Sequence, residues 1–339
     1  MKIAFVGIKR KYQEIPEDYR DSFNQYHLEL PYYYAKYGNN DVVISTLDYE
    51  DDGVQFEAGS LKCMLEKSVQ LSKFDVVVHW RRWFPEFYDP GAINVINCQD
   101  HSFSQEWTSS ASIAFRSGQL YGILCFKSWH KRNLLIECPW LTEDRALEGV
   151  TLGVDTDIYK PSVNKDPYQM LWSSDPGRGM SGAIALVMKL FQIDKRFRLH
   201  LCYPDYVKQP QKIQHPALVW HGSISNGPKL WNMFNDTGIL PYTSTFKEPS
   251  SRAHRQAQAA GSLVLYPPNM GTPSELIENN ITGVVDNQSL WPDRIIDLIK
   301  SGKWLEIGQN ARKFAESQSW KVQAENFNNL IIGILKERE

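Results

Sequence analysis

Arg178 stands in the run Pro176-Gly177-Arg178-Gly179-Met180, with a glycine on either side. Its guanidinium is a planar, permanently charged fork that matches two phosphate oxygens. The glycines leave room for a ligand to come close. Glu248 ends a polar loop over 243–248. A carboxylate accepts hydrogen bonds from hydroxyls and repels phosphate, so it suits a sugar rather than a diphosphate. Pro249 follows at the place where a helix would start, and proline has no N–H to lose there. The free amides at that helix start would be those of Ser250, Ser251 and Arg252, an anion site made of backbone. In the first half of the chain, Arg81 and Arg82 lie between Trp80 and Trp83. They are either forks for an acidic or phosphate-bearing acceptor or solvated charges whose stems lie on aromatic surface. No pair of carboxylates stands out as the acid and base of a glycosidase.

These groups need fixed positions, and the chain offers alternating strands and helices to supply them. Stretches 2–7, 41–46, 74–79, 92–97 and 121–127 read as apolar strands in the first half, and 168–173, 198–203, 218–221, 239–242 and 262–266 in the second. In a doubly wound α/β sheet the helices that follow such strands present their N-termini where ligands bind. Around Glu248 the pattern is densest. Strand 239–242 leads to a helix from Pro249 through Ala253, Ala257, Ala259 and Ala260 to a stop at Gly261. Strand 262–266 follows, and then Thr272-Pro273-Ser274-Glu275 reads as a capping box that opens a second helix. Residues 22–37 read as a helix interrupted at Pro31 and ended by Gly38. Near the end, Phe327, Leu330, Ile331, Ile334 and Leu335 make a helical stripe.

A chain of 339 residues is longer than one typical core supports and suits two domains. The polar run 161–166 is the expected linker, giving domains over 1–161 and 162–318 and a C-terminal helix over 319–339. A net charge of −2 gives no nucleic-acid footprint. Cys63, Cys98, Cys125, Cys138 and Cys202 are odd in number and lack metal-ligand spacing, which reads as reduced thiols and a cytoplasmic setting. The start of the chain does not read as a signal peptide and no run approaches membrane-spanning length; peripheral contact with a membrane stays open. Trp80, Trp83, Trp107, Trp129 and Trp140 could stack on sugar rings, but packing is the commoner use of such side chains.

Glu248, then Ala257-Gln258-Ala259-Ala260-Gly261, a strand, and Gly271-Thr272-Pro273 followed by Glu275 resemble the donor-site signature of retaining glycosyltransferases of family 4. That family has the GT-B fold, two Rossmann-like domains facing each other across a cleft. The junction Gly153-Val154-Asp155 leading to Lys160-Pro161, and the Arg178-Gly179-Met180 element, are similar to the family's as well. The resemblance implies transfer of a sugar from a nucleotide diphosphate, UDP- or GDP-linked, to a hydroxyl of a glycan, lipid or protein, with retention and without a metal ion. It implies no cofactor beyond that donor substrate. Arg178 would neutralise the diphosphate, and Ser173 or Ser174 stands where the family often has a second basic residue. Gln256 takes the place of the family's second glutamate, at the ribose; an amide lacks the two-oxygen grip of a carboxylate. Gly222, Ser223 and Ile224 would lie against the base. His101, with Asp100 beside it, would line the sugar, where a histidine can donate to a hydroxyl or relay a proton. Gly7 is the single glycine of a loop that carries a pair in the family, followed by the basic residues Lys9, Arg10 and Lys11. Two rivals stay open: a nucleotide-sugar epimerase on the same scaffold, and a non-catalytic sugar-nucleotide-binding protein.

Overall fold

The computed structural model describes residues 1–7, 26–46, 53–70, 73–149, 151–204 and 207–338. In chain order the elements are β1 (Lys2–Val6), α1 (Tyr26–Gly38), β2 (Asp41–Thr46), β3 (Val54–Gln55), β4 (Ser60–Leu65), β5 (Val76–Trp80), β6 (Ile93–Asn97), α2 (Gln105–Arg116), β7 (Gly122–Cys125), α3 (Ser128–Glu137) and β8 (Ala146–Glu148). They continue with β9 (Asp166–Ser173), α4 (Met180–Ile193), β10 (Arg198–Tyr203), β11 (Leu218–Ser223), α5 (Pro228–Asp236), β12 (Thr237–Pro241), α6 (Arg252–Ala259), β13 (Leu263–Tyr266), α7 (Thr272–Glu275), β14 (Val284–Val285), α8 (Trp291–Lys300), α9 (Lys303–Ser317) and α10 (Trp320–Arg338). The chain divides into two compact units, Met1–Leu152 with Trp320–Glu339, and Gly153–Ser319.

The first unit is built on a sheet of order β3-β4-β2-β1-β5-β6-β7-β8. Its strands run parallel except β3, which pairs antiparallel with β4. The central strands β1, β5 and β6 are buried almost throughout, as expected of a parallel sheet covered on both faces. Helix α1 continues through Pro31 instead of breaking there. Packing holds it: Tyr34 stacks on Phe327 of α10 at 4.3 Å and Tyr33 on Trp320 at 5.0 Å. Residues 22–25, the expected first turn of this helix, and Lys9, Arg10 and Lys11 lie outside the described residues.

The second unit is an all-parallel sheet of order β11-β10-β9-β12-β13-β14. Trp172, Phe197, Leu199 and Leu201 fill one core, with Trp291, Ile295 and Leu298 of α8 closing it. Helix α8 therefore buries an apolar face. The unit begins at Gly153, before the polar run 161–166, because Arg312 of α9 donates to the carbonyls of Thr156, Tyr159 and Ala259. Lys160 N also donates to Asn235 Oδ1 at 3.0 Å, and Asn235 Nδ2 to Ile158 O at 3.1 Å.

Candidate active site

Two loops at carboxyl ends of the second sheet meet. The loop after β9 carries Arg178, and the segment after β12 carries Tyr242 and Glu248. Arg178 Nη1 donates to Glu248 Oε1 at 2.8 Å, and the Tyr242 hydroxyl donates to the same oxygen at 2.7 Å. Arg178 is partly exposed and lies over the Phe246 ring at 5.2 Å, whereas the Glu248 side chain is 2% exposed. Ser174 Oγ sits 3.4 Å from the Tyr242 hydroxyl, and Ser173 ends β9 beside it. Tyr242 is held flat between Trp172 and Tyr266, with ring centroids at 5.7 and 5.2 Å. Burial pushes the Glu248 carboxyl up, against the Arg178 charge and the Tyr242 hydroxyl, which pull it down. Burial and then the neighbouring carboxylate push the Tyr242 phenol up. Burial opposes the Arg178 charge, but Glu248 and Tyr242 outweigh it and strengthen the guanidinium as a base.

Backbone fixes Glu248 as firmly as side chains do. Its N–H donates to Met270 O at 3.1 Å and its carbonyl accepts from Thr272 N at 3.0 Å, a parallel bridge to Gly271. Gly271 has φ +99°, and a Cβ there would meet Glu248 O at 2.2 Å. Two expectations are corrected by this bridge. Helix α6 starts at Arg252, not Pro249, because the backbone of Glu248 is paired with 270–272 just before it; Ser251 is its N-cap. The amides of the helix's first turn are then those of Arg252, Ala253 and His254 rather than Ser250, Ser251 and Arg252. The capping box does not form either: Gly271 is the N-cap of α7, a single turn, and the Thr272 hydroxyl has no partner. Thr272 is engaged through its N–H to Glu248 instead.

Buried groups around this bridge lack hydrogen-bond partners among the described residues. They are Glu248 Oε2, the hydroxyls of Ser250, Ser251, Thr272 and Tyr266, and both ring nitrogens of His254. Buried polar atoms are rarely left so in native proteins, and such a concentration fits a surface made to meet a polar ligand. The glycine at 179 has a second use: with φ +120°, a Cβ there would strike Thr243 O at 2.2 Å, so it serves close approach of two loops.

Gln256 faces a different neighbour. Its Nε2 donates to the Tyr159 hydroxyl at 2.8 Å. Gly222 and Ser223 end β11 with Gly222 at φ +79°, and Ile224 N donates to Tyr203 O at 3.0 Å.

In the first unit Arg81 and Asp100 form one ion pair, Nε to Oδ2 at 2.9 Å with a second contact from Nη2 to Oδ1. The expected acceptor-side arginine and the expected partner of His101 thus occupy each other. Arg82 lies over the Phe84 ring at 4.8 Å. Gly7 has φ +80°, and a Cβ there would overlap the Phe84 ring, so its glycine is explained by packing. Helix α3 supports the loop that carries Asp100 and His101. His130 Nε2 donates to Asp100 O at 2.9 Å, its Nδ1 accepts from Phe126 N at 3.2 Å, and Asn133 Nδ2 donates to His101 O at 2.7 Å. Burial lowers His130 to about 4, so it is the neutral Nε2–H form. Tyr242, Tyr159, His130 and Asn133 carry no sequence signal of their own.

Solved structures share this architecture over nearly the whole chain. A glycosyltransferase from Rickettsia africae ESF-5 aligns with a TM-score of 0.67 at 15% identity, covering 99% of this chain and 98% of that one. HepE from Anabaena, solved with UDP and glucose, aligns with a TM-score of 0.63 at 14% identity over 99% and 100% of the two chains. Sucrose-phosphate synthase from Thermosynechococcus elongatus gives 0.65 at 11% identity over 99% of each. The chain has the GT-B fold. No protein-family model matches it. Spore coat protein SA of Bacillus subtilis (strain 168) is 33% identical over 105 residues, a match that spans 29% of this GT-B chain and 27% of that protein. Among the described residues no cluster of His, Cys, Asp or Glu could hold a metal ion, and no helix is long and apolar enough to cross a membrane.

Proposed function

We propose that this GT-B chain is a retaining glycosyltransferase of the family 4 type, moving a hexosyl group from a UDP- or GDP-linked sugar to a hydroxyl of a glycan, lipid or protein. One observation carries the reading. Arg178 and Glu248, seventy residues apart, meet just before the N-terminus of α6, with one Glu248 oxygen and several hydroxyls around it unpartnered. In the reaction the bond from the anomeric carbon to the diphosphate oxygen breaks, the bond to the acceptor oxygen forms, and the acceptor proton leaves. Arg178 and the first-turn amides of Ala253 and His254 would take up the charge of the departing diphosphate, an electrostatic task for a preorganised site. Glu248 would orient the sugar through its hydroxyls. His101 enters on the family resemblance, as the group lining the sugar on the acceptor side. No metal ion or cofactor takes part in this scheme. The UDP and glucose bound in HepE support a nucleotide sugar as the donor.

The neutral Gln256 favours one rival, a protein that binds the sugar nucleotide without turning it over. Calorimetric titration with a panel of nucleotide sugars, followed by product mass with candidate acceptors, separates the readings. Transfer abolished in a folded Arg178→Ala variant supports the enzyme. Turnover without an acceptor would point to an epimerase, and binding without turnover to a sensor. For Glu248→Ala the expectation is a loss of transfer of about 10²-fold or more, with free nucleoside diphosphate binding within about threefold of the parent. Equal loss of both would remove Glu248 from the sugar.

A further inference from the structure

Gln256 is one end of a relay of four side chains in the second unit. Trp231 Nε1 donates to Asn226 Oδ1 at 2.9 Å, the Tyr159 hydroxyl donates to the same oxygen at 3.1 Å, and Gln256 Nε2 donates to the Tyr159 oxygen at 2.8 Å. The direction of every bond follows from the first. An indole N–H can only donate, so the Asn226 atom it meets is the carbonyl oxygen. Tyr159 has a single hydrogen, and the bond to that oxygen uses it. Its phenol oxygen is then left as an acceptor, so the Gln256 amide must turn its nitrogen inward. The reverse orientation would set two oxygens against each other with no proton between them. Gln256 Oε1 accepts no hydrogen bond from the described residues. The relay spans β11 to α6: Asn226 lies two residues beyond Ile224, and Trp231 is on α5.

We propose that Tyr159 is a specificity-determining positioning residue for the donor nucleotide, locking Gln256 so that one neutral acceptor, Oε1, meets a single hydroxyl of the ribose diol. This rests on the donor-site reading above and goes beyond it. A glutamate at 256 would take the Tyr159 hydrogen for itself and offer two acceptors; the amide and its relay offer one. The same strut joins the group at the ribose to the loop after β11, so the two are set together.

Calorimetric titration of UDP, 2′-deoxy-UDP and 3′-deoxy-UDP, and of the GDP series if GDP is the nucleotide that binds, tests the assignment. In the parent protein one deoxy form is expected to bind about tenfold more weakly than the full nucleotide, and the other within about twofold. Tyr159→Phe keeps the ring that packs edge-on to Phe234 at 5.6 Å and removes the hydroxyl. It should weaken the full nucleotide about five- to tenfold and close the gap between the deoxy forms, because the amide can then flip. Trp231→Phe, which removes the indole N–H that Asn226 accepts and keeps an aromatic ring in the core, should narrow the gap with a smaller loss. Both deoxy forms binding the parent as well as the full nucleotide does, both binding weakly, or a gap that survives in Tyr159→Phe would each overturn the proposal. A parent protein that binds no nucleoside diphosphate at all would instead bring down the donor-site reading, and this inference with it.

Discussion

A carboxylate with 2% of its side chain exposed needs help to stay charged, and at Glu248 the help comes from two donors on one oxygen. Desolvation of an ion costs several kcal/mol before pairing. Arg178 offsets part of that and Tyr242 another part. If the ionised form of Glu248 carries activity, the activity falls away as pH drops through the carboxyl's folded-state pKa, which burial has already raised. Removing the Tyr242 hydroxyl takes away a bond that favours the ionised form, so the pKa rises further. For Tyr242→Phe the acid limb of the pH–rate profile should therefore move up by about one to two pH units, from a charge-assisted bond worth roughly 1.5–3 kcal/mol. The ring remains stacked between Trp172 and Tyr266, so the plateau rate at high pH should change less than about threefold. An acid limb that stays in place would mean that Glu248 is held ionised by Arg178 alone.

At the scale of elements, what was legible and what was not divide along chain separation. β1, β2 and β10 are readable because their apolar runs are local, and Arg178 and Glu248 are readable by residue type. Their contact is not, since nothing local records a bond between residues 178 and 248. The same holds for Tyr159 and Gln256. The misread helix start at Pro249 shows a tertiary contact overriding local grammar: Pro249 carries a good helix-start signal, yet the Glu248–Gly271 bridge holds the backbone just before it and α6 begins at Arg252, while the second helix does start at Thr272 without its capping box. Gly271 is the residue that permits the bridge. Gly271→Ala puts a Cβ at 2.2 Å from Glu248 O with φ +99°, and both faults fall on backbone that cannot turn aside. A loss of about 2–4 kcal/mol is expected. Gly302→Ala is the matched control, at φ +73° with nothing within 4 Å, and should cost only about 1 kcal/mol. Chemical denaturation of the two variants decides it; equal midpoints would show that the bridge yields to the methyl group.

For the whole molecule, the last helix is the element whose place in sequence and place in structure differ most. α10 follows the second unit along the chain but completes the core of the first. Trp320, Phe327, Ile331 and Ile334 are buried there, against Tyr33, Tyr34 and the sheet behind them. Gln323 Oε1 accepts both Thr151 N and Thr151 Oγ1 at 2.9 Å, tying the helix to the end of the first unit. Four large apolar side chains at about 1.5–3 kcal/mol each amount to roughly 6–12 kcal/mol, against a usual domain stability of about 5–15 kcal/mol. Losing the helix also strands two buried donors on Thr151. The second unit loses none of its core, because its own helices close it. A chain ending at Ser319 should therefore keep a folded second unit while the first unit unfolds. Hydrogen exchange would read this directly, with protection retained in β9, β10, β12 and β13 and lost in β1, β2, β5 and β6. Protection that survived in β1 and β5 would show that the first sheet holds without its returning helix.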